Sequence, residues 1–158
     1  GSEMCKETDF IYTIFVCLFV LTGCDSEEPG YGYKDPVVYF SRAGILETKI
    51  TGSEIPVSVY CSGNPDRGSV TVSAAVERSL YDSFTGKSDY QLVPESFYTT
   101  SSWTVDIPKK EQIGIFNIPI QASALSKGKY VLPLKLTNSS PFELLKDKDV
   151  LYLTFVIE

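Results

Sequence analysis

Most of the chain after residue 36 consists of short runs in which apolar and polar side chains alternate. The run 55–61 carries an apolar residue at every second position, and the run 69–77 repeats the pattern. Successive side chains of a β-strand point to opposite faces, so this period is typical of strands with one buried and one wet face. An amphipathic helix would instead repeat its apolar residues every three to four positions. The alternation therefore restricts the chain to a sheet-based fold.

Eight such runs, bounded by turn residues, are spaced as in an all-β sandwich, and we predict an antiparallel β-sandwich of about seven strands. The last run is apolar on both of its faces, which indicates a central or doubly covered strand. One segment, 79–86, breaks the alternation and predicts a single short helical turn with Leu80, Tyr81 and Phe84 on one face and Gly86 at its end. The eight runs lie near 37–41, 45–51, 55–62, 69–77, 103–107, 113–121, 130–137 and 150–157.

Three prolines fall inside predicted strands: Pro56, Pro119 and Pro133. Proline has no backbone N–H to give to a sheet, so each of them needs an edge strand or an irregularity such as a bulge. The sequence therefore predicts a sandwich with irregular edges.

The N-terminal segment joins an apolar run, 10–20, to the sequence Leu21-Thr22-Gly23-Cys24. The run is shorter than the roughly 18 to 20 residues that cross a bilayer, which favours an export signal over an anchor helix. The segment resembles a bacterial lipoprotein processing site, in which a peptidase cuts before the cysteine and the cysteine is then acylated. The resemblance implies lipidation at Cys24 and attachment to a membrane. A buried strand or core helix is the alternative for the apolar run.

These observations divide the chain into three parts. Gly1 and Ser2 precede a natural-looking Met4 and are interpreted as a cloning scar, so residues 1–23 are predicted to be this scar and a lipoprotein signal peptide. Residues 24–35 hold the acylated cysteine and a tether rich in Gly, Pro and acidic residues. Residues 36–158 form the β-sandwich domain.

Composition excludes several functions. The formal net charge of −6 offers no basic surface for phosphate backbones, so nucleic acid is not a predicted partner. The chain has no histidine to activate a thiol, and Cys61 is in phase with the inner face of its strand, so we interpret it as a core residue. The acidic residues lie mostly at turns and on polar strand faces. No spacing typical of zinc, calcium or phosphate sites occurs, and we predict no catalytic residue, metal or cofactor.

Three segments in the second half of the chain carry a resemblance to a known family. They are YQLVPESFY at 90–98, VDIP at 105–108 and YVLPLKL at 130–136, and they follow the helical turn in this order. Over residues 36–158 the chain resembles the Bacteroidetes lipoprotein N-terminal domain of unknown function. The resemblance implies an immunoglobulin-like β-sandwich that often precedes a family-18 endoglycosidase or a lectin-like module. Lys109 and Lys110 depart from the family pattern, which commonly has a small residue after the proline.

The same resemblance implies a location and a role. The acidic residues after Cys24 resemble the tag that sends lipoproteins of this phylum to the outer face of the outer membrane, with a periplasm-facing location as the alternative. We predict a non-catalytic, glycan-associated binding or accessory module of a polysaccharide-utilisation system. The alternative is a structural spacer or protein-interaction domain that positions a downstream module or binds neighbouring surface proteins.

The best sugar-binding candidates in the sequence are Tyr98 and Trp103, which flank the hydroxyl-rich segment 99–102. Aromatic faces stack on sugar rings, and the hydroxyl groups offer hydrogen bonds. The same two residues also fit a simpler interpretation as sandwich core beside a polar turn, because Trp and Phe residues are usually buried in such domains. The exposure of Trp103 distinguishes these interpretations.

Overall fold

The computed structural model describes residues 35–158, and Cys24, the signal segment and the tether before residue 35 lie outside this range. Within it the chain forms ten strands and no α-helix. The strands are β1 (Val37–Phe40), β2 (Gly44–Glu47), β3 (Glu54–Cys61), β4 (Val70–Val76), β5 (Gln91–Leu92), β6 (Ser102–Ile107), β7 (Ile113–Pro119), β8 (Gly128–Ser140), β9 (Glu143–Leu144) and β10 (Val150–Ile157).

The strands form two sheets. The four-stranded sheet has the order β7-β3-β1-β9, and the six-stranded sheet has the order β2-β10-β8-β4-β6, with β5 paired to β8 beside β4. The long pairings are antiparallel, as predicted, while β1–β9, β2–β10 and β5–β8 are short parallel pairings. The chain passes from the first sheet to the second between β1 and β2, where Gly44 adopts a φ of +91° that favours glycine. The predicted all-β, immunoglobulin-like sandwich is confirmed.

The core fills the space between the inner faces of the two sheets. The alternation predicted for β3 and β4 is observed, because Ile55, Val57, Val59 and Cys61 are all buried and so are Val70, Val72 and Ala74. Three aromatic rings stack at one end of this core: the ring centroid of Phe155 lies 5.3 Å from that of Phe97 and 6.1 Å from that of Tyr130. Burial of these apolar side chains is the main force that holds the two sheets together.

All eight predicted strands occur, with boundaries shifted by a few residues at most, except that β2 is shorter than the run 45–51 and β8 longer than 130–137. The two strands that the pattern missed, β5 and β9, have two residues each. A run of two residues shows no alternation, so such strands are visible only once their partners β8 and β1 are in place.

The predicted helical turn is a 3-10 turn at Arg78–Ser83, and two further 3-10 turns, Glu95–Phe97 and Ala122–Ala124, were not predicted. Phe84 directly follows the first turn and is buried, with its ring 4.9 Å from that of Tyr152 on the outer face of β10. The hydroxyl of Tyr152 donates a hydrogen bond to the carbonyl of Leu80 at 3.1 Å. The segment after β4 therefore covers part of the outer face of β10. The coverage is partial, since Val156 is 48% exposed.

The prolines lie where a missing N–H is tolerated. Pro119 ends β7, an edge strand, and Pro56 lies in the part of β3 that pairs only with β7, because β1 pairs with β3 at 59–61 alone. Pro133 lies inside the central strand β8. Its carbonyl accepts a hydrogen bond from the N–H of Glu77 at 3.1 Å, so its backbone groups point away from β10. On that side β8 pairs with β5 at 130–131 and with β4 from 134 onward, and the proline occupies the gap between them.

Candidate functional site

Trp103, the first of the two predicted sugar-binding residues, lies on β6 opposite Ala74 of β4. It alternates in phase with Val105 and with the buried Ile107, is half-buried and packs against the core. Its indole Nε1 is buried and has no hydrogen-bond partner within residues 35–158. Trp103 therefore contributes to the edge of the core and does not present a ring face outward.

Tyr98, the second predicted residue, follows the 3-10 turn Glu95–Phe97 and forms an isolated antiparallel bridge with Ile120. It is half-buried and also packs against the core. In the part of the chain that the structure describes, the rings of Tyr98 and Trp103 do not pair with each other. The segment 99–102 between them is exposed. Neither residue forms an open aromatic platform here, and their role in ligand binding remains a prediction.

An open platform does occur on the outer face of the four-stranded sheet. Two parallel rows of outward side chains run across three neighbouring strands, in the order β1, β3, β7. The first row is Tyr39, Tyr60 and Ile113, and the second row is Ser41, Ser58 and Ile115. We call these six residues the tyrosine platform.

Strand alternation places both tyrosines on the outer face. Val38 and Phe40 are buried, so Tyr39 between them points outward. Val59 and Cys61 are also buried, so Tyr60 between them points outward as well. The sequence pattern that identified the inner face of β3 therefore also contained the signal for Tyr60. What it lacked was the register that makes Tyr39 and Tyr60 direct neighbours.

The two isoleucines of the platform are placed on the outer face by the inward residues of β7. Gly114 and Phe116 face the core, which leaves Ile113 54% exposed and Ile115 52% exposed. Large apolar side chains are seldom left so exposed on two successive outward positions of one strand. Together with the tyrosines they make this sheet face an apolar surface in contact with water.

The geometry of the tyrosine pair is compact. The ring centroids of Tyr39 and Tyr60 lie 5.4 Å apart with the rings tilted by 46°. The Nζ of Lys148 lies 5.2 Å from the centroid of Tyr39, within the range of a cation–π contact. Its position follows from the backbone, because the carbonyl of Lys148 accepts a hydrogen bond from the N–H of Phe40 at 3.0 Å. Asp147, with a φ of 68°, forms the turn that brings the lysine to this place.

The tyrosines of the platform differ from others in the domain in their hydroxyl groups. The hydroxyls of Tyr81, Tyr130 and Tyr152 each donate to a backbone carbonyl. Within the described range, those of Tyr39 and Tyr60 have no protein partner and are not buried. Burial of the Tyr39 ring, and secondly its closeness to Tyr60, raises the pKa of the Tyr39 phenol above its usual value of 10.0. The Tyr39 hydroxyl is therefore protonated at neutral pH and able to hydrogen-bond to a ligand.

A second surface feature lies at the end of the sandwich where β10 ends. It is an open cavity of about 570 Å³. Segment 47–51, Ala122 and the last three residues, 156–158, line it. The exposed side chain of Val156 is part of this lining.

Among residues 35–158 no group of three or more His, Cys, Asp or Glu side chains is placed to hold a metal ion. The buried polar residues of this range are Arg67 and Thr154, so none of its carboxylates is buried. A search of the same range for helices of sufficient length and hydrophobicity to span a membrane finds none.

The fold and this exposed sheet face define a β-sandwich domain of the kind that occurs as one module of larger proteins. A family model described as an N-terminal domain matches residues 33–143, most of the chain. The chain therefore belongs to this family of N-terminal domains. The resemblance to a Bacteroidetes domain that precedes other modules is confirmed. A search of curated protein sequences gives no match.

Three solved structures show how widely the fold occurs. The apo-form Calx CBD1 domain superposes with a TM-score of 0.59 at 13% identity and covers 79% of this chain and 99% of its own. A two-domain protein with unknown function from Bacteroides fragilis gives a TM-score of 0.62 at 13% identity, over 78% of this chain and 46% of that one. EndoBT-3987 from Bacteroides thetaiotaomicron, solved with a Man5GlcNAc product, gives a TM-score of 0.51 at 12% identity, over 75% of this chain and 30% of that one. Identities this low show a shared fold alone.

Proposed function

We propose that the protein is a surface-tethered, non-catalytic module that binds glycans through the tyrosine platform. The observation that carries this proposal is the pair of outward tyrosines, whose ring centroids lie 5.4 Å apart and whose hydroxyls have no partner among residues 35–158, beside Ser41 and Ser58. A sugar ring has one apolar face of C–H groups and a rim of hydroxyls. The faces of the aromatic rings suit the first, and serine hydroxyls and the Lys148 ammonium suit the second.

The family context supports a role in glycan metabolism. One structural neighbour, EndoBT-3987, was solved with a Man5GlcNAc product, and this chain spans 30% of that protein's length. The matched family describes an N-terminal domain, which fits a module that acts together with another part of a longer protein. A binding module needs an accessible surface, and the tyrosine platform provides one, since Ile113 and Ile115 are 54% and 52% exposed.

The proposal is tested with a glycan array probed with the purified chain, followed by titration calorimetry on each ligand that binds. We expect saturable binding that the Tyr60→Ala variant loses and that Ile45→Ala retains. Ile45 is a matched control, since it is 58% exposed but lies on β2 in the other sheet. Binding that is lost in Trp103→Ala or Tyr98→Ala, and kept in Tyr60→Ala, would move the site to the residues predicted from sequence. No binding to any glycan contradicts the proposal.

A second candidate function, a spacer that positions another module, is favoured by the cavity at the end of β10. A loop of a following module can enter this space, since the last residues of the chain form its wall. We expect Val156→Asp to loosen the contact with such a module, and Val156→Ala to have a small effect. Small-angle scattering of a chain that includes the following module measures this, and equal scattering profiles for the two variants would speak against the spacer role.

A further inference from the structure

We infer that the tyrosine platform holds an extended, uncharged glycan chain of the β-1,4-linked kind, which lies across the strands along the row Tyr39, Tyr60 and Ile113. The inference rests on the proposed glycan-binding function and specifies its ligand class. Three features of the platform carry it: the spacing of the first row, the hydroxyls of the second row and the charge of both.

The spacing of the first row is set by the sheet. Tyr39 pairs with Tyr60, and Tyr60 pairs with Ile113, so the three side chains stand on three adjacent strands. Neighbouring strands are about 4.8 Å apart, and the row is therefore about 10 Å long. One pyranose unit extends a β-1,4-linked chain by nearly the same distance as one strand spacing. Each of the three side chains can then contact successive rings of one straight chain.

Linkage decides whether a chain can remain on such a row. Equatorial β-1,4 bonds keep successive rings in a straight ribbon, so successive rings can follow the straight row of three side chains. An α-1,4-linked chain curves into a helix, and its rings leave a straight row after one contact. A single sugar contacts only one or two of the three positions. The platform therefore discriminates both by linkage and by length.

The second row supplies polar partners at the edge of the ribbon. Ser58 lies two residues before Tyr60 and Ser41 two residues after Tyr39, on the same side of the antiparallel pair, and the backbone N–H of Ser41 donates to the carbonyl of Ser58 at 3.0 Å. Two residues along a strand correspond to about 6.8 Å. Their hydroxyls thus lie parallel to the aromatic row, where they can donate to and accept from the hydroxyls of a bound chain.

The charge of the platform favours an uncharged ligand. None of its six residues is an Asp, Glu, Lys or Arg, although the whole chain carries a formal charge of −6. An acidic polysaccharide would be repelled by this net charge, and the platform offers it only the neighbouring Lys148. A neutral ribbon loses no ionic hydration when it docks on this face.

The inference is tested by titration calorimetry with glucose, cellobiose, cellohexaose, mannohexaose and maltohexaose. We expect cellohexaose or mannohexaose to bind at least about tenfold more tightly than maltohexaose and more tightly than the shorter sugars, a difference that calorimetry resolves readily. Because the ligand carries no charge, we expect the affinity to be unchanged between low and physiological salt. Amide chemical shifts are expected to change in β1, β3 and β7.

Two variants locate the binding without disturbing the core. Ile115→Lys adds a long charged side chain at a half-exposed position and is expected to abolish binding while the protein remains folded. Ile45→Lys adds the same side chain on the other sheet and is expected to leave binding intact. Circular dichroism melting curves of both variants confirm the fold.

The possible outcomes separate this inference from the proposed function. Equal affinity for maltohexaose and cellohexaose, lost in Ile115→Lys, overturns the ligand class and leaves the glycan-binding function in place. Binding that weakens steeply with salt also overturns the inference, because it points to an acidic glycan. The absence of binding to every sugar overturns both the inference and the proposed function. Self-association through this face, observed in analytical ultracentrifugation and abolished by Ile115→Lys, also overturns both.

Discussion

At the scale of single residues, a buried cation organises one loop of the domain. Arg67 is 8% exposed, and its Nε donates to the Sγ of Cys61 at 2.9 Å while its Nη2 donates to the carbonyl of Glu111 at 2.8 Å. No acidic side chain pairs with it among residues 35–158. The guanidinium thus connects the β3–β4 loop to the start of β7 through neutral acceptors. This role of Arg67 could not be predicted from the sequence, since the loop has the composition of an ordinary turn.

Removal of this side chain is expected to destabilise the domain. Arg67→Ala leaves the carbonyl of Glu111 and the thiol of Cys61 without their donor and opens a void, so we expect the free energy of unfolding to fall by about 2–3 kcal/mol. Arg42→Ala is the matched control, because Arg42 is exposed and its loss is expected to change stability by less than about 0.5 kcal/mol. Urea unfolding followed by circular dichroism measures both. Equal stability of the two variants would show that the buried contacts of Arg67 contribute nothing.

The phenol of Tyr39 gives a second prediction at this scale. Its pKa is raised by burial and, to a smaller extent, by Tyr60, so Tyr60→Phe is expected to bring it closer to 10.0. A raised folded-state pKa contributes stability that is present below the unfolded value and is lost as pH rises through the folded value. We therefore expect stability to decline from about pH 10 upward. NMR titration of ring-labelled tyrosine follows the pKa, and a Tyr39 pKa that does not change in Tyr60→Phe would contradict this assignment.

At the scale of strands, β7 links the platform to the core. Gly114 lies between Ile113 and Ile115 but faces inward. A Cβ at this position would lie 2.9 Å from Cγ1 of Ile107 and 3.2 Å from Cγ1 of both Val105 and Val59. All three neighbours are β-branched and have little freedom to rotate. The sheet can therefore accept a side chain here only if β7 moves.

Gly114→Ala is accordingly expected to lower the free energy of unfolding by about 1–3 kcal/mol, the range typical of an overpacked core. It is also expected to weaken glycan binding, because the two isoleucines move with β7. Gly52→Ala serves as the control, since a Cβ there has no atom within 4 Å. Denaturant midpoints and calorimetry measure the two effects. A stable Gly114→Ala variant with unchanged affinity would contradict the coupling of platform and core.

The strands also show what sequence patterns can and cannot predict. Eight strands were predicted because each is long enough to alternate. β5 and β9 were missed because two residues form a pairing only where β8 and β1 already offer an edge. The same limit applies to Pro133, which looks unfavourable in a central strand until the gap between β4 and β5 is seen.

At the scale of the whole molecule, the proposed function depends on attachment to a membrane. The sequence Leu21-Thr22-Gly23-Cys24 resembles a lipoprotein processing site, and we propose that acylated Cys24 holds the domain at the outer face of the outer membrane. The tether before residue 35 would then separate the platform from the lipid surface. A tethered binding module raises the local concentration of its glycan near other surface proteins.

Replacement of the cysteine is expected to release the protein. In cells that carry Cys24→Ala we expect loss of metabolic labelling by fatty acid and loss of partition into the detergent phase. Cys61→Ala is the control, because Cys61 is a buried core residue and not part of the processing site. Protease treatment of intact cells separates surface display from a periplasm-facing location. Retention of the fatty-acid label in Cys24→Ala would refute the lipoprotein assignment.

The sequence by itself determined the class of fold and the direction of each side chain along its strand, because alternation follows from backbone geometry alone. The alternation therefore predicts the side chains of Val59 and Cys61 in the core and that of Tyr60 on the outer face of the sheet. Only the tertiary structure decided that Tyr39, Tyr60 and Ile113, from three separate strands, form one row. Register between strands follows from the packing of the core and from loop lengths, which no single run contains. The platform is therefore a product of the assembled sheet.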